Sequence, residues 1–237
     1  MPRPRVQGFV FTWKGHAEHA ARLERELAAV MPVMVINSEP DVAAAHPSWI
    51  TLDDSAYFAA QWNAAIARFD ADILFHMQAD AWSDRLPDIV RRASRLFEQY
   101  PLGMYEPNVD FTDHVFEQDK LPAIEPGLCQ VPFTDTTCWM VARDVLERMP
   151  AFDLSVNQYG WGVSRLAAAL CSLMHRYCVR DFTFLVAHPR GRGYDSSRAH
   201  QELLAHLRSM PADIIQECQR LHDWSRTLRP APQTNQA

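Results

Sequence analysis

The residues able to do chemistry stand where apolar runs stop. In Asp72-Ile73-Leu74-Phe75-His76-Met77-Gln78-Ala79-Asp80-Ala81-Trp82 a short apolar segment passes abruptly into Gln78, Asp80 and Trp82. A run this short, between two helical patterns, predicts a strand buried on both faces of a parallel sheet, whose carboxyl end opens onto a ligand crevice. Asp80 then stands at that mouth; the alternative is that it only caps the following helix. Four other segments end in the same way, on Thr12-Trp13, Ser38-Glu39, Glu106 and His188. In an open α/β sheet such ends gather around one crevice, so five polar strand ends predict a site. Beyond His188, Arg190 and Arg192 carry planar guanidinium forks that suit phosphate oxygens, with a solvated basic turn as the alternative.

Other constellations carry less. His16 and His19 are three apart on a first helical turn, a spacing that reads as a solvated face rather than a metal pair. The five cysteines, Cys129, Cys138, Cys171, Cys178 and Cys218, are odd in number and lack a Cys-x-x-Cys pair, so reduced thiols are expected rather than a disulfide framework or a zinc site. No Gly-x-Gly-x-x-Gly follows the first strand and no Gly-x4-Gly-Lys-Ser/Thr occurs anywhere, which sets aside dinucleotide-dependent and P-loop chemistry.

These residues need a scaffold, and the chain is long enough to supply one: 237 residues with 48% hydrophobic content bury a substantial core. A net charge of −6 argues against a partner that is nucleic acid or an anionic membrane. No window holds about 18 consecutive apolar residues and Met1 to Arg5 lacks a signal-peptide core, so no transmembrane segment and a cytoplasmic location are expected. Patterning predicts a strand over 5–12, a helix over 16–31 and a strand over 33–37. A helix over 56–69 opened by Asp54-Ser55, the strand at 72, a helix over 86–100 and a strand over 102–107 follow. Residues 109–132 show no period and read as an irregular functional excursion. Then come a strand over 136–141, short and long helices over 143–149 and 164–177, a strand over 181–187, and two closing helices over 197–209 and 211–226.

Strand-helix-strand, then Gln61-Trp62-Asn63-Ala64-Ala65-Ile66 before an apolar strand ending in an Asp-x-Asp-like triplet, then Tyr159-Gly160-Trp161-Gly162, then a strand ending in His188-Pro189: this order resembles the GT-A glycosyltransferases, in particular their family-2-like nucleotide-sugar enzymes. The likeness spans about residues 5–195. It implies a single α/β domain with a central, mostly parallel sheet: residues 5–108 as the nucleotide-sugar half, 109–195 as the acceptor half, 196–229 as C-terminal helices and 230–237 as a disordered tail. It also implies transfer of a sugar from a nucleoside diphosphate donor to a saccharide or other hydroxyl acceptor, in the manner of polysaccharide biosynthesis, assisted by Mn²⁺ or Mg²⁺. A cation would stabilise the negative charge that develops on the leaving diphosphate.

By the same resemblance, Gln78-Ala79-Asp80 stands in the Asp-x-Asp position, with Asp80 and His188 as metal ligands and Gln78, lacking a charge, turned to a ribose hydroxyl. Thr12 and Trp13 would lie under the base and ribose, Ser38 or Glu39 would read the base edge, and Asn63, Arg190 and Arg192 would complete the donor site. Trp13 offers a stacking face, or is simply a half-buried aromatic. On the acceptor side stand Glu106, Trp161, Gly162 and Ser164. Ser164 occupies the family's catalytic acid position and cannot itself be an effective base at neutral pH. Asp135 and Asp153 are the substitutes, Asp135 preferred, although either can merely initiate a turn. Departures at both Gln78 and Ser164 leave a second reading open, a non-catalytic nucleotide-sugar binding or scaffold protein on the same fold.

Overall fold

The structure, a computed structural model, describes residues 3–112, 114–189 and 194–229. The first half alternates strand and helix: β1 (Val6–Thr12), α1 (Ala17–Leu27), β2 (Val33–Asn37), the two-residue β3 (Ile50–Thr51), α2 (Phe58–Ile66), β4 (Ile73–Gln78), α3 (Leu86–Gln99) and β5 (Leu102–Val109). The second half holds β6 (Ala123–Glu125), β7 (Leu128–Gln130), β8 (Cys138–Ala142), α4 (Arg143–Leu146), α5 (Val163–Leu173), β9 (Tyr177–Val186), α6 (Ser196–Arg208) and α7 (Ala212–Thr227). Among the described residues the strands form one sheet in the order β3-β2-β1-β4-β8-β5-β9-β7-β6. It is mixed: β1–β2, β1–β4, β2–β3 and β5–β9 pair parallel, while β8 runs against both β4 and β5, and β7 against both β6 and β9.

Period-two alternation divides the core between the two faces of this sheet. Phe9, Phe11, Leu74, Trp139 and Val141 face α2 and α5 through Trp62, Ala65, Leu166 and Leu170. Val10, Phe75, Met77 and Met140 face α1 and α3 through Leu23, Leu27, Ile89 and Leu96. Both faces are covered, so β4 reads as an apolar run broken only by the buried His76, with Gln78 and Asp80 following where it leaves the sheet. All five cysteines are buried and free, and burial pushes the Cys129, Cys138, Cys171, Cys178 and Cys218 thiols up. No helix among the described residues is long and apolar enough to cross a membrane.

Four sequence expectations are corrected. The excursion after β5 contains the β6–β7 hairpin around Pro126-Gly127, strands too short to show a period. Helix α2 begins only at Phe58, because Asp53 Oδ1 holds Ser55 in a turn through its N–H (3.0 Å) and hydroxyl (2.6 Å). Helix α5 stops at Leu173, since His175 takes a left-handed conformation (φ 56°) that reverses the chain, and the apolar residues beyond it continue the helical period by coincidence. Strand β9 therefore starts at Tyr177 and brings Arg180 and Asp181 into the sheet, where a polar pair had masked the strand pattern.

Candidate functional site

The site forms at the carboxyl end of β4, and the chain just beyond β9 closes it. Trp82 and Ala187 form an antiparallel bridge, with Trp82 N–H donating to Ala187 C=O (2.9 Å) and the reverse bond at 2.7 Å. That bridge lays His188 beside Asp80, with His188 Nε2 3.5 Å from Asp80 Oδ2. Two further bonds fix the histidine. Its backbone N–H donates to Asp110 Oδ1 (2.8 Å), and its Nδ1 lies 3.2 Å from the Phe111 carbonyl. A carbonyl only accepts, so Nδ1 carries the hydrogen and Nε2 faces Asp80 with its titrating position. Burial lowers the His188 pKa, but the bond and charge of Asp80 and the Phe111 carbonyl outweigh it, so the value is raised. Among the described residues Asp80 Oδ1 is buried without a hydrogen-bond partner.

This arrangement fits a divalent cation held jointly with a ligand. Neutral Nε2 and the carboxylate are two acceptors aimed at each other, an arrangement satisfied by a proton or a cation between them, and the orphaned Oδ1 offers another oxygen. A backbone carbonyl holding the other imidazole nitrogen is the usual way to orient a ligating histidine. No group of three or more His, Cys, Asp or Glu side chains among the described residues can hold an ion, so two side chains need oxygens from a bound molecule to complete the shell.

The ends of β1 and β2 are tied by a residue the sequence reading passed over. Gln61, buried on α2, donates through Nε2 to Thr12 O (2.8 Å), Ser38 Oγ (2.8 Å) and Ile36 O (3.3 Å). A lone Gln on the inward face of an apolar helix was the signal available. Thr12 is fully buried with Oγ1 unpartnered, while Trp13 is partly exposed and packs 4.9 Å from the His16 ring. Glu39 folds back so that Oε2 accepts from Gly15 N–H (3.1 Å). Gln78 is half-buried, and its N–H donates to Thr137 O (2.9 Å). Asn63 stands apart from these groups. Both its amide atoms bond the Phe152 backbone at 2.9 Å and pin α2 to the segment between α4 and α5.

On the other flank Glu106 is wholly buried and accepts from Arg180 Nε (2.6 Å) and from the Asp135 N–H (2.6 Å). Burial pushes its pKa up to about 7, the Asp135 charge adding and Arg180 opposing. Asp135 also feels burial, but the charge of His114 and bonds from Thr112 and Thr137 hold its carboxyl below the usual value. Its Oδ2 accepts from Thr112 Oγ1 (2.7 Å), and its Oδ1 from Thr137 N–H (3.0 Å) and Oγ1 (2.7 Å). Beneath the site His76 is neutral, burial driving its pKa down to about 3, and its Nδ1 accepts from Trp139 Nε1 (3.1 Å). Asp153 is exposed and forms a turn with Ser155, bonding its N–H (2.9 Å) and hydroxyl (2.6 Å).

Gly160 and Gly162 are glycine for steric reasons. Both have positive φ (70° and 98°), and a Cβ would stand 2.3 Å from Phe58 Cδ1 and 2.5 Å from Leu203 Cδ1 respectively. The turn they form starts α5, buries Ser164 in its first turn and lets Trp161 Nε1 donate to Tyr194 Oη (2.8 Å). The structure thus brings Asp80 and His188 together, and separately Glu106, Asp135 and Arg180. Arg190 and Arg192 lie outside the described residues.

No protein-family model matches the chain, and no curated protein does. Solved structures do. A mannosyltransferase from Pyrobaculum calidifontis in complex with GDP-Man and Mn²⁺ superposes with TM-score 0.59 at 15% identity, covering 98% of this chain and 78% of that one. S. aureus TarS (residues 1–349) with UDP-GlcNAc gives 0.58 at 11%, covering 94% and 74%. Glucosyl-3-phosphoglycerate synthase from Mycobacterium tuberculosis, with Mn²⁺, UDP and phosphoglyceric acid, gives 0.59 at 9%, covering 91% and 78%. The chain has the GT-A fold. Within that fold β1, β2 and β4 run parallel, so their carboxyl ends lie side by side, and the Trp82–Ala187 bridge brings the chain after β9 to the end of β4.

Proposed function

We propose that the chain is a glycosyltransferase that moves a sugar from a nucleoside diphosphate donor to a saccharide or other hydroxyl acceptor with the help of a divalent cation. The observation that carries this reading is the 3.5 Å approach of His188 Nε2 to Asp80 Oδ2 at the mouth of β4, next to an oxygen with no partner. Its support is the GT-A fold, whose solved neighbours include enzymes bound to GDP-Man, UDP-GlcNAc and UDP, two of them with Mn²⁺. Asp80 and His188 would hold a Mn²⁺ or Mg²⁺ ion, and that ion, when bound, supplies positive charge against the leaving diphosphate. The Phe111 carbonyl keeps Nε2 directed at Asp80. Trp13 and Glu39 line the nucleotide end over the buried Thr12 and Ser38, and the Gln78 amide takes a ribose hydroxyl.

Asp135 is the group we assign to the acceptor's proton. It is held ionised at neutral pH, and the lone pairs left on its two oxygens accept that proton as the acceptor oxygen bonds the sugar and the diphosphate departs. Asp153, exposed and committed to its turn, is not retained for this role. The second reading, a nucleotide-sugar binding scaffold, is favoured by two features: both Asp135 oxygens are already hydrogen-bonded, and Ser164 is buried. One experiment separates them. UDP-, GDP-, CDP- and dTDP-sugars are first screened by thermal shift with and without Mn²⁺, since a ligand of the native state raises Tm by mass action. The stabilising donor is then assayed for release of nucleoside diphosphate. Binding with release supports transfer, binding without release supports the scaffold, and no binding by any donor refutes both.

A further inference from the structure

A closed ring of hydrogen bonds lies behind the site. Glu106 on β5 is wholly buried, and its two carboxylate oxygens serve different elements. Oε1 accepts from Arg180 Nε on β9 (2.6 Å), and Oε2 accepts from the Asp135 N–H (2.6 Å). Arg180, itself buried, donates through Nη1 to the His114 carbonyl (2.8 Å), and its guanidinium carbon stands 5.3 Å from the centre of the Phe116 ring. The His114 N–H donates to Thr112 Oγ1 (3.1 Å), and that hydroxyl donates to Asp135 Oδ2 (2.7 Å), which closes the ring.

The two residues before Thr112 are the ones that fix His188. Asp110 Oδ1 accepts the His188 N–H (2.8 Å), and the Phe111 carbonyl lies 3.2 Å from His188 Nδ1. Phe111 and Thr112 are consecutive, so their Cα atoms are about 3.8 Å apart and a shift of one is passed to the other. One stretch of backbone therefore touches His188 on one side and Asp135 on the other, while Arg180 holds it at His114. A buried ion pair adds little net stability, because removing both ions from water offsets their attraction, but it admits few geometries. Here its remaining atoms bond the backbone of the two segments that border the site, at the Asp135 N–H and the His114 carbonyl.

We propose that Glu106 and Arg180 are positioning residues that hold Asp135 and His188 as one unit, through Asp110, Phe111, Thr112 and His114. Its consequence for catalysis is that the group taking the acceptor's proton keeps a fixed place relative to the cation ligand. That consequence rests on the transferase reading above; the coupling itself does not.

The test uses the full chain and reads amide hydrogen exchange residue by residue by NMR, without ligand. Glu106→Leu combined with Arg180→Met replaces the pair by apolar side chains of similar volume. Thr112→Val removes the hydroxyl alone, and Thr112→Ser keeps it. In the double variant the His114, Asp135 and His188 amides should exchange at least about tenfold faster, while those of β2, separated from β5 by β1, β4 and β8, stay level. Thr112→Val, which leaves the ion pair in place and decides the matter if the double variant does not fold, should speed the His188 amide at least about threefold, with Thr112→Ser near wild type. A His188 amide that does not move in either variant overturns the coupling, and so does a rise at every amide, which would make the pair merely structural. With the stabilising donor, kcat of Thr112→Val should fall at least about tenfold at unchanged KM and recover in Thr112→Ser, because a misplaced proton acceptor slows the chemical step rather than binding. An unchanged kcat in a variant whose exchange has risen overturns the catalytic consequence. A wild type that releases no nucleoside diphosphate refutes the transferase reading and that consequence with it, while the exchange rates decide the coupling by themselves.

Discussion

Asp80→Asn keeps the side-chain volume and removes one negative charge from the mouth of β4. At an effective dielectric near 20, two unit charges about 4 Å apart attract by about 4 kcal/mol, so a carboxylate and a dication gain at most about 8 kcal/mol. Desolvation, and the share of the cation's charge taken by the donor diphosphate, leave about a quarter to a half of that, or about 2–4 kcal/mol, which is about 30- to 1,000-fold in Mn²⁺ affinity. The fold should survive, because among the described residues Asp80 Oδ1 makes no hydrogen bond and Oδ2 has only His188, 3.5 Å away, as partner. Calorimetric titration of nucleoside diphosphate with and without Mn²⁺ gives the ratio of the two affinities for each protein. Wild type should show a large ratio and Asp80→Asn a ratio near one, with Tm moved by only a few degrees. An unchanged ratio in a folded variant would refute the assignment of Asp80 to a cation.

His188→Ala should weaken nucleoside diphosphate binding with Mn²⁺ by about 1–3 kcal/mol, read by the same titration; loss of the cooperative melt instead would make His188 a structural residue. Gln78→Asp adds a carboxylate two residues before Asp80 and should tighten Mn²⁺ at least about tenfold, nucleotide affinity staying level or falling; a metal affinity that does not move would show position 78 turned away from any cation. Arg180→Met leaves the wholly buried Glu106 without its cation and should cost about 3–5 kcal/mol in denaturant unfolding, much of it restored by Glu106→Gln in the same chain. Because the folded pKa of Glu106, about 7, lies above its ordinary 4.5, the folded chain holds this proton more tightly than the unfolded one. Its contribution to stability is present below pH 4.5 and falls by about 3 kcal/mol as pH rises to 7, a slope that Glu106→Gln should flatten.

Much of the architecture is legible along the chain because it is local. The apolar run of β4, the stripes of α1 and α3, and the polar residues that end β1, β2 and β4 all follow from how a buried strand or an amphipathic helix must be written. What escaped were segments whose identity depends on distant partners. Three-residue β6 and β7 have no period of their own and exist because β9 offers an edge to pair with. Arg180 and Asp181 look like an interruption in an apolar strand, yet one is neutralised by Glu106 across the sheet and the other by Arg92 from α3 at 2.6 Å.

The candidate site divides along the same line. The sequence by itself determined that Asp80 and His188 would each end a strand, since an abrupt change from apolar to polar residues is a property of the segment. Only the tertiary structure decided that they meet. Asp80 and His188 are 108 residues apart, and their approach depends on the Trp82–Ala187 bridge and the Asp110 and Phe111 contacts, none of which has a sequence signature. The same holds for Gln61, whose single amide secures β1 and β2. Hydrophobic pattern is written in neighbours, but electrostatic partnership is set by which distant groups the packed elements bring within a few ångströms.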